Sequence, residues 1–160
     1  MNEAIRMLIT GVLGTIGFGI IFRCGIRELS CSTAGAAVTI LAYLGTMQLT
    51  DGHMLASNLI AASAAGLVSA IFARVLRVPS TVLLMPELIP LLPGSSLYYT
   101  LSSLIGREYM EAVDYLRDTL EVALGIAIGI VIASMIDHLF LRLFGQIKPK
   151  KEKRTEARKR

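Results

Sequence analysis

The sequence predicts an all-α polytopic membrane protein with about five transmembrane helices, the fourth of which is broken by prolines. The first observation is composition, because 54% of the residues are hydrophobic, whereas soluble domains are roughly 45–50% apolar. The second is charge distribution, because five long runs contain no Asp, Glu, Lys or Arg. The third is that four of the five prolines fall within the fifteen residues 79–93.

The uncharged runs give the positions of the spans. They are Met7–Phe22, Leu29–Thr50, Gly52–Ala73, Leu88–Gly106 and Val122–Ile136. A membrane-spanning helix needs about 20 mostly apolar residues, so the bounds of each run are adjusted at its flanking residues to approach that length. This gives spans at about 4–22, 32–49, 54–73, 80–105 and 119–140, in a single transmembrane domain over residues 1–147.

Small residues in the first, third and fifth spans predict close helix packing. They are Gly11, Gly14, Gly17 and Gly19, then Ala62, Gly66 and Ala70, then Gly125 and Gly129. Small side chains at these spacings let helix backbones approach closely in lipid.

The fourth span cannot be one regular helix. Pro86, Pro90 and Pro93 each remove a backbone donor and clash with the carbonyl four residues earlier. A straight helix over residues 78–106 would reach about 44 Å, against a hydrocarbon core of about 30 Å. We therefore predict two half-helices with an unwound middle, which membrane proteins tolerate only inside protein or against water.

The second half-helix offers a candidate binding site at its beginning. After Pro93 and Gly94, either Ser95 or Ser96 can cap the helix. The free N–H groups and positive dipole of such an end suit a carboxylate, and unwound carbonyls in residues 88–92 could receive an ammonium group or a cation. Broken helices that point their ends at anionic substrate groups recur in secondary transporters.

Glu87 is a candidate functional residue, because a carboxylate at membrane depth is costly. Two interpretations stay open. Glu87 either takes up a proton during transport or pairs with a substrate amine, or it lies in the first turn of a half-helix after Pro86, where the dipole favours it. Hydroxyls beyond the break could line a pathway or join helices; they belong to Tyr98, Tyr99, Thr100, Ser102 and Ser103.

Residues 107–121 predict an amphipathic helix that leads into the last span. Its acidic face is either simply solvated or an antechamber for a cation or substrate. Asp137 and His138 lie near the inner end of the last span. Charged side chains at helix ends can reach the interface, so we do not expect these two to form a buried pair.

Basic residues predict an N-out, C-in orientation. With five spans, this orientation places thirteen of the sixteen Lys and Arg residues on the cytoplasmic side and only Arg6, Arg107 and Arg117 outside. Eight of the thirteen belong to residues 148–160, which we interpret as a disordered cytoplasmic tail. Beside a span, such a tail acts as an anchor, so no nucleic-acid partner is expected.

The sequence carries no catalytic or metal-binding signature. It has no Ser/His/Asp arrangement, no HExxH motif and no glycine-rich phosphate loop between a strand and a helix. Cys24 and Cys31 are too few for a disulfide framework, and their spacing fits no zinc pattern. We therefore expect no enzymatic activity, no metal and no cofactor.

The stretch Ile89–Tyr98, IPLLPGSSLY, resembles the IPxxPG…Y motif of the threonine/serine exporter family. Chain length and span pattern are similar to the small subunit of those family members that are split into two proteins. The matching motif positions are Pro90, Pro93, Gly94 and Tyr98. Glu87, Ser95 and Ser96 join them as candidate pathway residues on physical grounds alone.

The resemblance implies a secondary transporter of the bacterial inner membrane that exports threonine and serine together with a larger membrane subunit. Protons are a candidate coupling ion. One alternative is a dicarboxylate exporter subunit, since a split pair of this family exports succinate. Another is a structural or assembly subunit without its own substrate site, and a homo-oligomer also remains open.

Overall fold

The computed structural model describes residues 2–50 and 52–145, and every regular element in them is helical. The elements are α1 (Asn2–Ile21), α2 (Ile26–Leu49), α3 (Met54–Leu76), α4 (Ser80–Leu88), a 3₁₀ turn (Ile89–Leu91), α5 (Gly94–Ile105) and α6 (Tyr109–Gly145). The all-α fold class is confirmed, and the described residues contain no strand. The predicted basic tail at 148–160 lies outside the described residues.

Four helices of the described chain are long and apolar enough to cross a membrane, namely α1, α2, α3 and α6. The segments Ser80–Leu91 and Gly94–Ile105 are long and apolar enough when taken together, and the chain bends by 56° between them. Counted as one broken span, they bring the total to five. The prediction of about five spans with a broken fourth is therefore confirmed.

Helices α3 and α6 run in the same direction and pack closely through small residues. A Cβ atom added to Gly125 would lie 2.7 Å from the carbonyl oxygen of Leu55, and one added to Gly129 would lie 2.5 Å from that of Leu59. Further along both helices, a Cβ on Gly66 would meet the Ala133 side chain at 2.5 Å. Such contacts leave no room for larger side chains, as the small-residue spacing predicts.

The first part of α6 extends past the beginning of α3. Gly125 already lies against Leu55 in the first turn of α3, and α6 starts sixteen residues earlier, at Tyr109. That earlier part packs against α5, with Tyr99 and Tyr115 stacked at a ring distance of 5.3 Å. The predicted amphipathic helix and the last span therefore form one continuous helix, and we call α5 with residues 109–121 the α5–α6 hairpin.

One end of the bundle carries most of the arginines of the described helices and their connections. There α1 ends, α2 begins, α3 ends and α4 begins, and the sulfur of Cys24 lies 3.9 Å from the carbonyl oxygen of Val82. We call it the basic end; its arginines include Arg23, Arg27, Arg74 and Arg77. At the opposite end α2 ends and α3 begins.

The packed core lies where α4 and the 3₁₀ turn meet α3 and α6. Ala61, Ala62 and Ala65 of α3 are fully buried there. Leu88 and Leu91 pack on them from the fourth span, with Val122 and Ile126 from α6. The small residues of α3 thus let the broken span approach the centre of the bundle.

Candidate functional site: the broken fourth span

The first proline of the broken span does not end its helix. Helix α4 continues through Pro86 to Leu88, although a proline removes the hydrogen bond to the carbonyl four residues earlier. That carbonyl, on Val82, accepts a weak hydrogen bond from the Cys24 thiol at 3.9 Å instead. The neighbouring Leu83 carbonyl accepts one from the Ser32 hydroxyl at 3.2 Å. Partners from other elements thus support the backbone of α4, and the break comes later.

The break itself comes at Leu92, after a single 3₁₀ turn that contains Pro90. The Leu92 backbone is extended, with φ −63° and ψ 133°, and Pro93 then stands as the N-cap of α5. The prediction that Ser95 or Ser96 caps the second half-helix is wrong, because the helix already begins at Gly94. The two serines occupy its first turn instead, where backbone N–H groups have no partner within the helix.

A cavity of about 230 Å³ lies at this break. Residues from α1, α2, α3 and α6 close it around the broken span. Its lining is Met7, Tyr43, Met54, Asn58, Pro90, Leu91, Leu92, Pro93, Ser95, Ser96 and Val122. Among the described residues, the lining contains polar groups but no charged side chain, and it includes four of the predicted site residues. We call it the break cavity.

Two other predicted site residues, Gly94 and Tyr98, do not line the break cavity. Gly94 is the first residue of α5, and a Cβ atom added to it would meet none of the described residues within 4 Å. Tyr98 is 66% exposed on the outer side of α5, with its ring 5.5 Å from that of Tyr99.

Glu87 is fully buried between α2, α3 and α4. The Ser69 hydroxyl donates a hydrogen bond to one carboxyl oxygen at 2.6 Å, and the Thr39 hydroxyl lies 3.3 Å from the other. Gly35 gives this carboxyl its space, because a Cβ there would lie 2.5–2.6 Å from the carboxyl atoms. Glu87 is the penultimate residue of α4, so the interpretation that places it in the first turn of a half-helix is wrong.

The carboxyl of Glu87 lies deeper in the bundle than the break cavity. Its partners Thr39 and Ser69 belong to the middle parts of α2 and α3, whereas Met54 and Asn58 of the cavity belong to the first turns of α3. Ion pairs in the described chain join Arg74 to Asp137 and Arg117 to Glu121. Glu87 therefore has hydroxyl partners but no ion-pair partner among the described residues.

Several residues around the two sites were not predicted from the sequence. Thr39 and Ser69 hold Glu87, while Tyr43 and Asn58 help to close the break cavity. Asn58 could have been singled out from the sequence, since an amide inside an apolar span needs a partner. Its side chain donates a hydrogen bond to the Met54 carbonyl at 2.8 Å. Ser69 and Gly35 could not have been singled out, because small residues in spans usually serve packing.

The fold and this site together define the class of multi-pass membrane transporters. The described chain has four, or up to five, helices that are long and apolar enough to span a membrane. Half-helices that end beside a cavity within such a bundle are typical of secondary transporters.

The family model described as threonine/serine exporter, ThrE, matches residues 7–136. The chain belongs to this threonine/serine exporter family, and a role in exporter-type transport follows. Comparison with curated proteins and with solved structures found no significant match.

Proposed function

We propose that this chain is the smaller subunit of a two-protein secondary transporter that exports threonine and serine across a bacterial cytoplasmic membrane. The observation that carries the proposal is the family match over residues 7–136, which includes the broken span and its cavity. The N-out, C-in orientation belongs to the proposal as well. It is supported by the arginines at the basic end, which the positive-inside rule assigns to the cytoplasm.

The break cavity is the proposed binding site for the substrate carboxylate. The first turn of α5 supplies free backbone N–H groups and the positive end of a helix dipole. Hydroxyls of Ser95 and Ser96 and the amide of Asn58 lie on the same lining and suit a small polar amino acid. Because none of the described residues that line the cavity is charged, a bound carboxylate meets no competing negative charge from them.

Glu87 is the proposed proton-carrying group. It is fully buried and has only the hydroxyls of Ser69 and Thr39 as hydrogen-bond partners among the described side chains. A hydroxyl can donate to a carboxylate and accept from a protonated carboxyl, so both partners can serve either state. A buried charge without an ion-pair partner is costly. Because loss of the proton would create such a charge on Glu87, proton uptake and release would directly affect the packing of α4.

The proposed larger partner covers the apolar side of the α5–α6 hairpin. Four large side chains of α6 are 43–64% exposed there: Tyr109, Val113, Leu116 and Leu120. The same part of α6 also contains acidic residues, including Glu111, Asp114 and Asp118. A segment with so many carboxylates is unsuited to the hydrocarbon layer, so contact with lipid does not account for the four exposed apolar side chains. Contact with a protein partner accounts for them.

Cysteine accessibility tests the proposed substrate site. In a chain whose native cysteines are replaced by serine, Ser95→Cys should react with a water-soluble thiol reagent and should be protected by threonine. Ser102→Cys is the control, because Ser102 is exposed on the same helix but lies outside the cavity lining. Reactivity there should not change with threonine. If Ser95→Cys reacts equally with and without substrate, the broken span is a packing element and the substrate site lies elsewhere.

Glu87→Gln tests the proposed proton-carrying role. The amide preserves the shape of the side chain and its hydrogen bonds to Ser69 and Thr39 but cannot carry a proton between two states. Export should slow, and its dependence on external pH should weaken, at an unchanged amount of protein in the membrane. An unaltered export rate across the pH range would remove Glu87 from the coupling mechanism.

A further inference from the structure

A second cavity, of about 310 Å³, lies at the other end of α4 from the break. Its floor consists of small residues, Gly66 and Ala70 on α3 and Ala133 on α6. Helices α4 and α6 form its walls. Since α3 packs closely on both neighbours, the small side chains on its surface leave this space open between them.

Polar side chains line the walls of this second cavity. They are Ser80 and Thr81 on α4, and Ser134, Asp137 and His138 on α6. Asp137 is ion-paired with Arg74, and both side chains are partly exposed. The cavity wall therefore offers a carboxylate and several hydroxyls, and the Arg74 guanidinium adjoins it through the ion pair with Asp137. These groups suit a small zwitterion with a hydroxyl group better than they suit a lipid chain.

The two cavities lie towards opposite ends of the bundle. The break cavity lies beside the first turns of α3, whereas the second cavity lies beside Ser80 at the start of α4 and Asp137 late in α6. Helix α4, with Glu87 buried in it, stands between them. In the proposed orientation the second cavity opens at the cytoplasmic end, where an exported molecule must enter.

We propose that the second cavity is the entry site at which the chain takes up its substrate, a small hydroxylated amino acid, from the cytoplasm. The inference rests on the proposed export function and adds a separate site to it. Arg74 and Asp137 orient the substrate by its carboxylate and its amine, and Ser134 lies beside it. From there the substrate passes α4 to reach the break cavity.

A bulky side chain at Ser134 tests the entry site. Ser134 is exposed and lines the cavity, so the side chain of Ser134→Phe should obstruct part of this space without disturbing the core. Met135→Phe is the matched control, because Met135 is 68% exposed, adjacent in sequence and absent from the cavity lining. Both variants are expressed with the partner in threonine-loaded cells, and efflux is compared at equal amounts of membrane protein.

The entry site predicts that Ser134→Phe lowers threonine efflux about tenfold, since the large aromatic side chain would compete with the substrate for space in the cavity, while Met135→Phe keeps the wild-type rate. Equal efflux from both variants would overturn it, and so would equal loss from both, because the effect would then not follow the cavity. Wild-type cells that show no more efflux than cells lacking the chain would instead refute the export function, and the entry site with it.

Discussion

The fit between Gly35 and the carboxyl of Glu87 makes a sharp prediction about stability. A methyl group at position 35 would lie 2.5–2.6 Å from the carboxyl atoms, whereas one at Gly45 of the same helix would meet no atom of the described residues within 4 Å. The carboxyl cannot move aside cheaply, because Glu87 is fully buried and both of its oxygens have hydroxyl partners. Gly35→Ala and Gly45→Ala therefore make the same chemical change in opposite surroundings.

The magnitudes separate the two variants. Replacing a helix-interior glycine with alanine gains about 1 kcal/mol, overpacking costs about 1–3 kcal/mol, and a lost hydrogen bond costs about 0.5–1.5 kcal/mol. The sum predicts that Gly35→Ala loses about 0.5–3.5 kcal/mol and that Gly45→Ala gains about 1 kcal/mol. At about 2–4 °C per kcal/mol, the melting temperatures of the two purified variants in detergent should differ by about 3–18 °C.

A double substitution tests the cause of the loss. Glu87→Ala removes the carboxyl that the new methyl group would meet, so adding Gly35→Ala to that variant should cost far less than it does in the native chain. The expected coupling energy is about 1–3 kcal/mol. Equal melting temperatures for Gly35→Ala and Gly45→Ala would refute the reasoning, and so would an unchanged cost in the Glu87→Ala background.

Two further predictions concern helix packing and the connection between α1 and α2. Gly129→Ala should lower the melting temperature, because its Cβ would lie 2.5 Å from an α3 carbonyl oxygen that cannot move freely. Gly17→Ala should be neutral or slightly stabilising, because its Cβ would meet no described residue within 4 Å. Equal effects of the two substitutions would contradict the close α3–α6 contact. Burial and the nearby Glu28 carboxylate raise the pKa of the Cys24 thiol, so the rate of its alkylation should keep rising above the pH at which an ordinary thiol is ionised. Glu28→Gln should speed this alkylation near neutral pH, as measured by mass spectrometry, and identical pH profiles for the two chains would contradict the prediction.

The helices and the broken span could be predicted from the sequence because both depend on local chemistry. Long runs without charge identify spans, and three prolines within eight residues prevent a regular helix from Pro86 to Pro93. The exact break was harder to predict. Pro86 alone predicts a disrupted helix, yet α4 continues past it because Cys24 and Ser32, distant in sequence, supply hydrogen bonds to its backbone.

The surroundings of Glu87 could not be predicted for the same reason. Its two hydroxyl partners lie 48 and 18 residues away in the chain, and nothing in their local sequence distinguishes them from packing residues. Only the folded arrangement of α2, α3 and α4 brings Thr39, Ser69 and Gly35 around one carboxyl. The charge of Glu87 in an apolar setting identified the residue as unusual, and the fold supplied its partners.

Export itself is the most direct test of the central claim, that this chain completes a threonine and serine exporter. Cells lacking both subunits would be loaded with threonine, and efflux would be measured with the larger subunit alone, with this chain alone and with both together. We predict export only when both are present. Equal export by cells that express the larger subunit alone would contradict the claim.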